Sequence, residues 1–452
     1  MFRRTVQSFP DLSLPSVWLP WWYRPSVFLF GASIPALVIF SLSDPAHSLS
    51  KAQLFYGNRD LVVGIIGLLM MIIGARIGES GAIFALYRSI FRNYGPVRNP
   101  TIPRPRLGEA MLPMAFDWIL MGVFVVSHLI FFRNFFLHPG LIAQVLGGDV
   151  GLKHEMKTIP GVTTWTQVSL VLASVRGLRW AGILPGRVKL ISLFHLTFFG
   201  ILFVRSILWS ERLALVEGVI PFFVCAFPRV ANTLPRRWRP SIRLIPLIVP
   251  VLLLFTFTAF ESLRSWQAYS SEHSSVLEFG WRRLFSYYFE AMNTGAATLG
   301  TSGFYDHPTR PMSFGAYDAL FEGLYQGEVL DEEYNNPSGL WYVATLSGNL
   351  LFVPVFMAWG WFYGVTWKSF TEGRMFGLFY PMNFIGLMEV IRIPYWGGLN
   401  RALPSTVIIL LLMLWAATLA SRLRVTSPRG HAAPPRRPSH PSSSEHPRLP
   451  GP

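Results

Sequence analysis

The strongest constraint on this chain is a succession of apolar runs of about 17 to 25 residues with few or no charges. That is the length at which one helix crosses the hydrocarbon of a bilayer. Nine such runs lie at about Ser26–Leu42, Leu61–Ile77, Leu112–Phe132, Val188–Trp209, Leu213–Phe227, Leu244–Phe260, Leu340–Thr366, Met375–Ile391 and Pro404–Ala420. A weaker tenth run ends near Ile183 and carries Arg176 and Arg179. The expected fold is therefore an all-α, polytopic integral membrane protein of about ten transmembrane helices. Soluble domains of this length do not combine 51% hydrophobic with 14% charged residues.

Charge placement gives the expected orientation. The net charge of +15 would suit nucleic acid, but the arginines fall in short connections between apolar runs, where they act as topology signals. With both termini cytoplasmic, two thirds of the 39 Lys and Arg face the cytoplasm. This predicts a cytoplasmic segment at 1–25, a membrane domain over 26–421, an outer loop over 261–339 and a disordered, basic, Pro/Ser-rich cytoplasmic tail over 422–452. Clusters at Arg88 to Arg106 and Arg229 to Arg243 lie on the inner side. The 16 Trp, 15 Tyr and 37 Phe fit aromatic belts at the two interfaces. The single cysteine, Cys225, excludes an intramolecular disulfide and any cysteine-rich metal site.

The long outer segment contains a helical signal. Trp281, Leu284, Phe285, Tyr288, Phe289 and Met292 recur at helical spacing, while Arg283, Ser286, Glu290 and Asn293 share the opposite face, with Arg282 and Tyr287 at its edges. An amphipathic helix lying flat on the outer surface is expected, either as an anchor whose arginines touch lipid phosphates or as a roof that aims a guanidinium inward. The small residues from Asn293 to Gly303 predict a flexible loop after it.

Ionisable residues inside the runs are few, the main ones being Asp117, His128, His195, Glu217 and Glu389. Glu389 has Arg392 three residues on, on the same helical face. The two histidines read as satisfied core residues. Glu217 lies in an otherwise apolar run, and a buried carboxylate there needs a partner such as Arg205. Arg205 and Arg212 bracket the junction between two apolar runs. They share a face if the helix is continuous and oppose one another if the chain turns between Ser206 and Ser210. In both cases two guanidinium forks can meet one anion, since arginine stays charged and matches two phosphate oxygens at once. Snorkelling to the interface is the plainer role. Walker, dinucleotide, HExxH and GxSxG motifs are absent, which argues against soluble nucleotide chemistry; no metal or other cofactor is expected.

Three stretches carry a resemblance. Ile159-Pro-Gly-Val-Thr-Thr-Trp-Thr-Gln167, Arg205 to Ser-Glu-Arg212 with Leu-Ala-Leu-Val-Glu217, and Arg283-Leu-Phe-Ser-Tyr-Tyr288 through Asn293-Thr-Gly295 resemble the bacterial oligosaccharide repeat-unit (O-antigen, Wzy-type) polymerases. The resemblance implies a membrane glycosyltransferase in the bacterial inner membrane. It would join polyprenyl-diphosphate-linked glycan units on the outer face during surface polysaccharide synthesis. It implies catalytic roles for Arg205, Arg212, Glu211 and Glu217, and substrate-binding roles for Arg282, Arg283, Tyr287, Tyr288 and Asn293. The implied partners are the polyprenyl-diphosphate-linked oligosaccharide, membrane lipids, a chain-length regulator and a flippase, with no nucleic acid. An O-antigen ligase-type glycan transferase and a lipid-linked oligosaccharide transporter are the alternatives. Broken helices near mid-membrane would favour the transporter.

Overall fold

A computed structural model describes residues 19–50, 52–81, 113–146, 158–159, 161–186, 188–209, 212–264, 266, 270–331, 334, 336–395 and 399–426. Every regular element among them is helical. The main helices are α1 (Pro25–Leu42), α2 (Asn58–Ser80), α3 (Met114–Phe131), α4 (Ser169–Ala181), α5 (Leu193–Leu208), α6 (Arg212–Thr233), α7 (Ile245–Arg264), α8 (Val276–Thr301), α9 (Phe314–Gln326), α10 (Gly339–Thr371), α11 (Phe379–Met388) and α12 (Leu399–Thr426). Among the described residues, six helices are long and apolar enough to cross a membrane: α1, α2, α3 and α10, and most of α6 and α7. Shorter apolar helices occupy Leu193–Leu208, Met375–Met388 and Leu403–Trp415. The protein is thus a helical, membrane-embedded chain.

Close packing follows from small residues at helical spacing. Gly74 and Gly78 of α2 face Gly360 and Gly364 of α10, and the backbones meet. A Cβ on Gly74 would lie 2.0 Å from the Met357 carbonyl oxygen, and one on Gly360 would lie 1.9 Å from that of Met71. Pairs of glycines one turn apart allow this approach in membranes, where dispersion contact rather than water expulsion holds helices together. Gly177 plays the same part between α4 and α6, where a Cβ would lie 2.5 Å from the Phe222 carbonyl oxygen.

The connections sort into two ends. At one, Arg24 pairs with buried Glu79 at 2.5 Å, Lys368 donates to the Ser80 carbonyl, and the Trp21 and Trp22 indoles donate to the carbonyls of Arg243 and Ile242. At the other, Ser41 meets Tyr56, Arg283 meets Glu261, and the Ser338 amide donates to the Ala291 carbonyl. Helix α8 lies across this second end. Its residues touch Phe40 of α1, Phe257 and Glu261 of α7, Trp341 of α10 and Glu389 just beyond α11.

Helix α10 is broken at Gly348, whose φ of 63° and ψ of 166° no helix contains. Trp341 and Phe356 reach α2 only one turn apart, at Gly64 and Gly67. A straight helix would separate those two residues by about 22 Å. The released groups are used by the chain itself. Met312 donates to the Leu346 carbonyl, and the Asn349 side chain donates to the carbonyls of Phe304 and His307 while accepting from the Thr309 amide.

Several expectations are corrected. The stretch from Asn293 is no loop: α8 continues to Thr301, and Asn293 to Leu299 are all buried, with Gly295 against Trp341. Small residues serve close packing there rather than mobility. The polar face of α8 is also buried, so the helix is not an amphipath with one side in water. Residues 261–339 accordingly hold the end of α7 and the whole of α8 and α9. The weak fourth run is a short helix, α4, buried along nearly its whole length with Arg176 and Arg179 inside. Residues 422–426, expected to open a disordered tail, are the end of α12. Residues 1–18, the Arg88 to Arg106 cluster and 427–452 lie outside the described residues.

Candidate functional site

The sequence-predicted residues stand on α5, α6 and α8, and residues 389–395 touch both α6 and α8. Helix α5 ends at Leu208 and α6 begins at Arg212, so a turn rather than a continuous helix separates the two arginines. Arg205 is buried, and its guanidinium lies 4.5 Å from the centre of the Phe131 ring of α3. Apolar rings accept a desolvated guanidinium through their negative faces, which fits an arginine held away from water. It is therefore not snorkelling. Glu211 lies outside the described residues, as does the side chain of Arg212. Glu217, one turn and a half into α6, is 1% exposed and accepts a hydrogen bond from the Tyr395 hydroxyl at 3.3 Å. One partner of this carboxylate is thus a tyrosine beyond α11, a residue no sequence periodicity connects to it.

Adjacent residues of α8 separate sharply. Arg283 is fully buried, paired with Glu261 and donating to the Tyr334 hydroxyl at 2.9 Å. Arg282 is at the surface, paired with Glu278 at 3.2 Å one turn back. Only one of the two arginines is aimed inward, and its charge is already matched. Asn293 is a structural clamp rather than the wall of a sugar path. Its Oδ1 accepts from the amides of Phe55 and Tyr56 at 2.7 and 3.1 Å, and its Nδ2 donates to the Gln53 carbonyl and to Glu290 at 2.9 and 3.2 Å. Those four bonds exhaust an amide's capacity. Glu290 also accepts from Ser48 at 2.6 Å, and Ser286 accepts from the Leu49 amide, so the segment before α2 is strapped over α8. Burial pushes the Glu290 carboxyl above its usual range, against the hydrogen bonds from Ser48 and Asn293 that pull it down.

Tyr287 and Tyr288 touch residues 389–395. Tyr288 stacks on Phe40, with centroids 4.8 Å apart, and donates to Glu389 at 3.3 Å. Tyr287 packs edge-on against Phe257 and Tyr334, and the Arg392 guanidinium lies 5.1 Å from its centre. Arg392 pairs with Glu389 at 3.2 Å, as their spacing predicts. Residues 389–395 therefore link α8 to α6: Glu389 and Arg392 hold the two tyrosines, and Tyr395 holds Glu217. Sequence reasoning treats this segment as the end of an apolar run. The available signal is the three-residue spacing of Glu389, Arg392 and Tyr395, which puts polar groups together where the run stops.

A second buried charge cluster sits at the opposite end. Asp117 accepts from Arg176 at 3.1 Å and from Arg179 at 3.0 Å, and Arg179 also donates to the Pro113 and Pro185 carbonyls. His195 bonds Ser192, while the Nδ1 of His128 lies 2.8 Å from the Phe124 carbonyl oxygen. Asp117 joins α3 to α4, and Arg176, 3.5 Å from the His195 ring, joins α4 to α5. Among the described residues no group of three His, Cys, Asp or Glu is placed to hold a metal ion.

No family model, curated protein or solved structure matches this chain.

Proposed function

We propose that this protein is an oligosaccharide repeat-unit polymerase of the bacterial inner membrane, with the site at the α8 end facing outward. The reading counts ten spans by adding α4, α5, α11 and α12 to the six longest helices, and it places both termini in the cytoplasm. The observation that supports it is the chain of contacts through Tyr287, Tyr288, Glu389, Arg392 and Tyr395 that ends on Glu217 of α6, the helix that Arg212 opens.

In the proposed reaction the acceptor sugar hydroxyl oxygen bonds to the anomeric carbon of a polyprenyl-diphosphate-linked glycan. The bond between that carbon and the diphosphate oxygen breaks, and the diphosphate leaves with the electron pair. Arg205 and Arg212 offset the charge growing on the leaving group, a role in which buried guanidinium forks act most strongly. Glu211 or Glu217 takes the hydroxyl proton. Tyr287 and Tyr288 line the approach. A ligase would use the same donor chemistry with a different acceptor. The break in α10 is a feature a transporter would share, but the Leu346 carbonyl accepts from the Met312 amide and the Asn349 amide donates to the Thr309 hydroxyl, so these backbone groups are already used.

The test is a glycan ladder from cells carrying Arg205→Ala or Arg212→Ala. Loss of long chains with single lipid-linked repeats accumulating outside is expected. Normal ladders from both variants would overturn the reading.

A further inference from the structure

Arg392 is a cation at this end with most of its donors unused among the described residues. Its guanidinium carries five N–H groups. One nitrogen donates to Glu389, and no other hydrogen bond to Arg392 exists among the described residues, although its Nε is buried from solvent. The plane is held from two sides, by Tyr287 at 5.1 Å and by Glu389 at 3.2 Å. Glu389 is itself fixed by the Tyr288 hydroxyl. Buried polar groups in folded proteins are almost always paired, and here the Nε is buried without a partner while the side chain keeps 21% of its surface open, enough for a ligand to reach its other donors. A guanidinium that is rigidly placed, half neutralised and left with open donors is arranged to receive an oxyanion.

We infer that Arg392 is an anion-binding residue, presenting its free donors to the oxygens of a phosphate group, with Glu389 and Tyr287 as positioning residues. The anion site itself stands on the geometry alone. That its occupant is the diphosphate of a polyprenyl-linked sugar rests on the function proposed above. Arginine suits this ligand because two parallel N–H groups match two phosphate oxygens. The three-residue link to Tyr395 would bring the bound diphosphate beside Glu217 and the α5–α6 junction.

The experiment uses the full-length protein in nanodiscs of zwitterionic lipid and measures binding of geranylgeranyl diphosphate, with inorganic pyrophosphate as competitor. A parallel arm uses nanodiscs containing phosphatidylglycerol. Losing a charge-assisted hydrogen bond weakens binding by about tenfold or more, so Arg392→Gln should show at least that loss and Arg392→Lys a smaller one. Glu389→Gln frees the guanidinium and should bind the diphosphate as tightly as the wild type or more so. These opposite signs separate an anion receptor from a structural ion pair, for which both variants would weaken binding and lower thermal stability together. Competition by pyrophosphate identifies the diphosphate group as the recognised part. If geranylgeranyl diphosphate does not bind but phosphatidylglycerol stabilises the wild type and not Arg392→Gln, the anion site is a phospholipid site and its assignment to the diphosphate is overturned. Equal binding of every phosphate probe by the wild type and Arg392→Gln would overturn the inference while leaving the glycan ladder test untouched.

Discussion

The Tyr395 hydroxyl donates to Glu217 Oε1 at 3.3 Å, joining residues 178 positions apart in sequence. Glu217 is buried in α6, and this bond supplies part of what a carboxylate needs where water is excluded. Tyr395→Phe deletes only the hydroxyl and leaves the ring. Removing one donor from a buried charged acceptor costs about 1–3 kcal/mol, so a lower unfolding midpoint is expected with the helical content unchanged. Thermal unfolding followed by circular dichroism checks it, and an unshifted midpoint would mean that the bond contributes nothing.

The seam between α2 and α10 admits no side chain at its glycines. Gly74→Ala and Gly360→Ala place a methyl within about 2 Å of a backbone carbonyl, an overlap that only separation of the helices relieves. Gly122 and Gly200 are helical glycines with nothing within 4 Å of an added Cβ. Alanine there removes glycine's helix penalty, worth up to about 1 kcal/mol. Fluorescence-detected size exclusion should show the seam variants lost or aggregated and the other two folded at wild-type yield or better. The reverse ranking would mean that α2 and α10 do not pack as described.

The helical spans were legible because hydrocarbon imposes length and composition on them. The apolar runs around Arg205 and after Arg212 correspond to α5 and α6, with Arg205 in the last turn of the first and Arg212 opening the second. The second half of α8 was not legible. Asn293-Thr-Gly-Ala-Ala-Thr reads as a loop by composition, and what makes it helix is the close approach of Trp341 to Gly295 from a distant part of the chain. Arg282 and Arg283 look interchangeable in sequence, since one residue of helical phase decides which is buried. Arg392 is legible in sequence only as the partner of Glu389. Its spacing from Glu389 explains the pair correctly but does not reveal that the remaining donors go unused.

Asn293 anchors the strap before α2 through four hydrogen bonds. Asn293→Asp keeps the acceptor for the Phe55 and Tyr56 amides but loses both bonds donated by Nδ2 and puts a second carboxylate beside Glu290. Asn293→Ala loses all four. Amide hydrogen exchange at Phe55 and Tyr56 should accelerate in the alanine variant and less in the aspartate one, because exchange tracks local opening. Protection equal to wild type in both would show that the strap is held by other contacts.

Glu290 gives the strap a pH dependence of defined sign. Burial raises its carboxyl above the usual value, so the folded state holds a proton that the unfolded chain releases near the ordinary glutamate pKa of about 4.3. Its contribution to stability is therefore largest below about pH 4 and declines as pH rises through the folded-state pKa. Glu290→Gln removes that proton. Relative to this variant, the wild type should lose stability between pH 4 and neutrality when unfolding is followed in denaturant at several pH values. A wild type that gains on the variant over that interval would contradict the burial of an ionisable group here.

Arg282 and Arg283 should give opposite results despite being neighbours. Arg283 and Glu261 are both fully buried, so Arg283→Ala strands a carboxylate without its cation, a change that costs about 3–5 kcal/mol. Arg282 meets Glu278 at the surface, where an i,i+4 pair contributes at most about 0.5 kcal/mol and salt screens it. Arg282→Ala is accordingly expected to keep wild-type thermal stability, and Arg283→Ala to fold poorly or not at all. The double change Glu261→Gln with Arg283→Met removes both charges and should recover much of the loss, since neutral partners avoid the uncompensated charge. If it recovers nothing, the α7–α8 contact depends on the guanidinium's bond to Tyr334 rather than on charge balance, and Tyr334→Phe alone should then reproduce the defect.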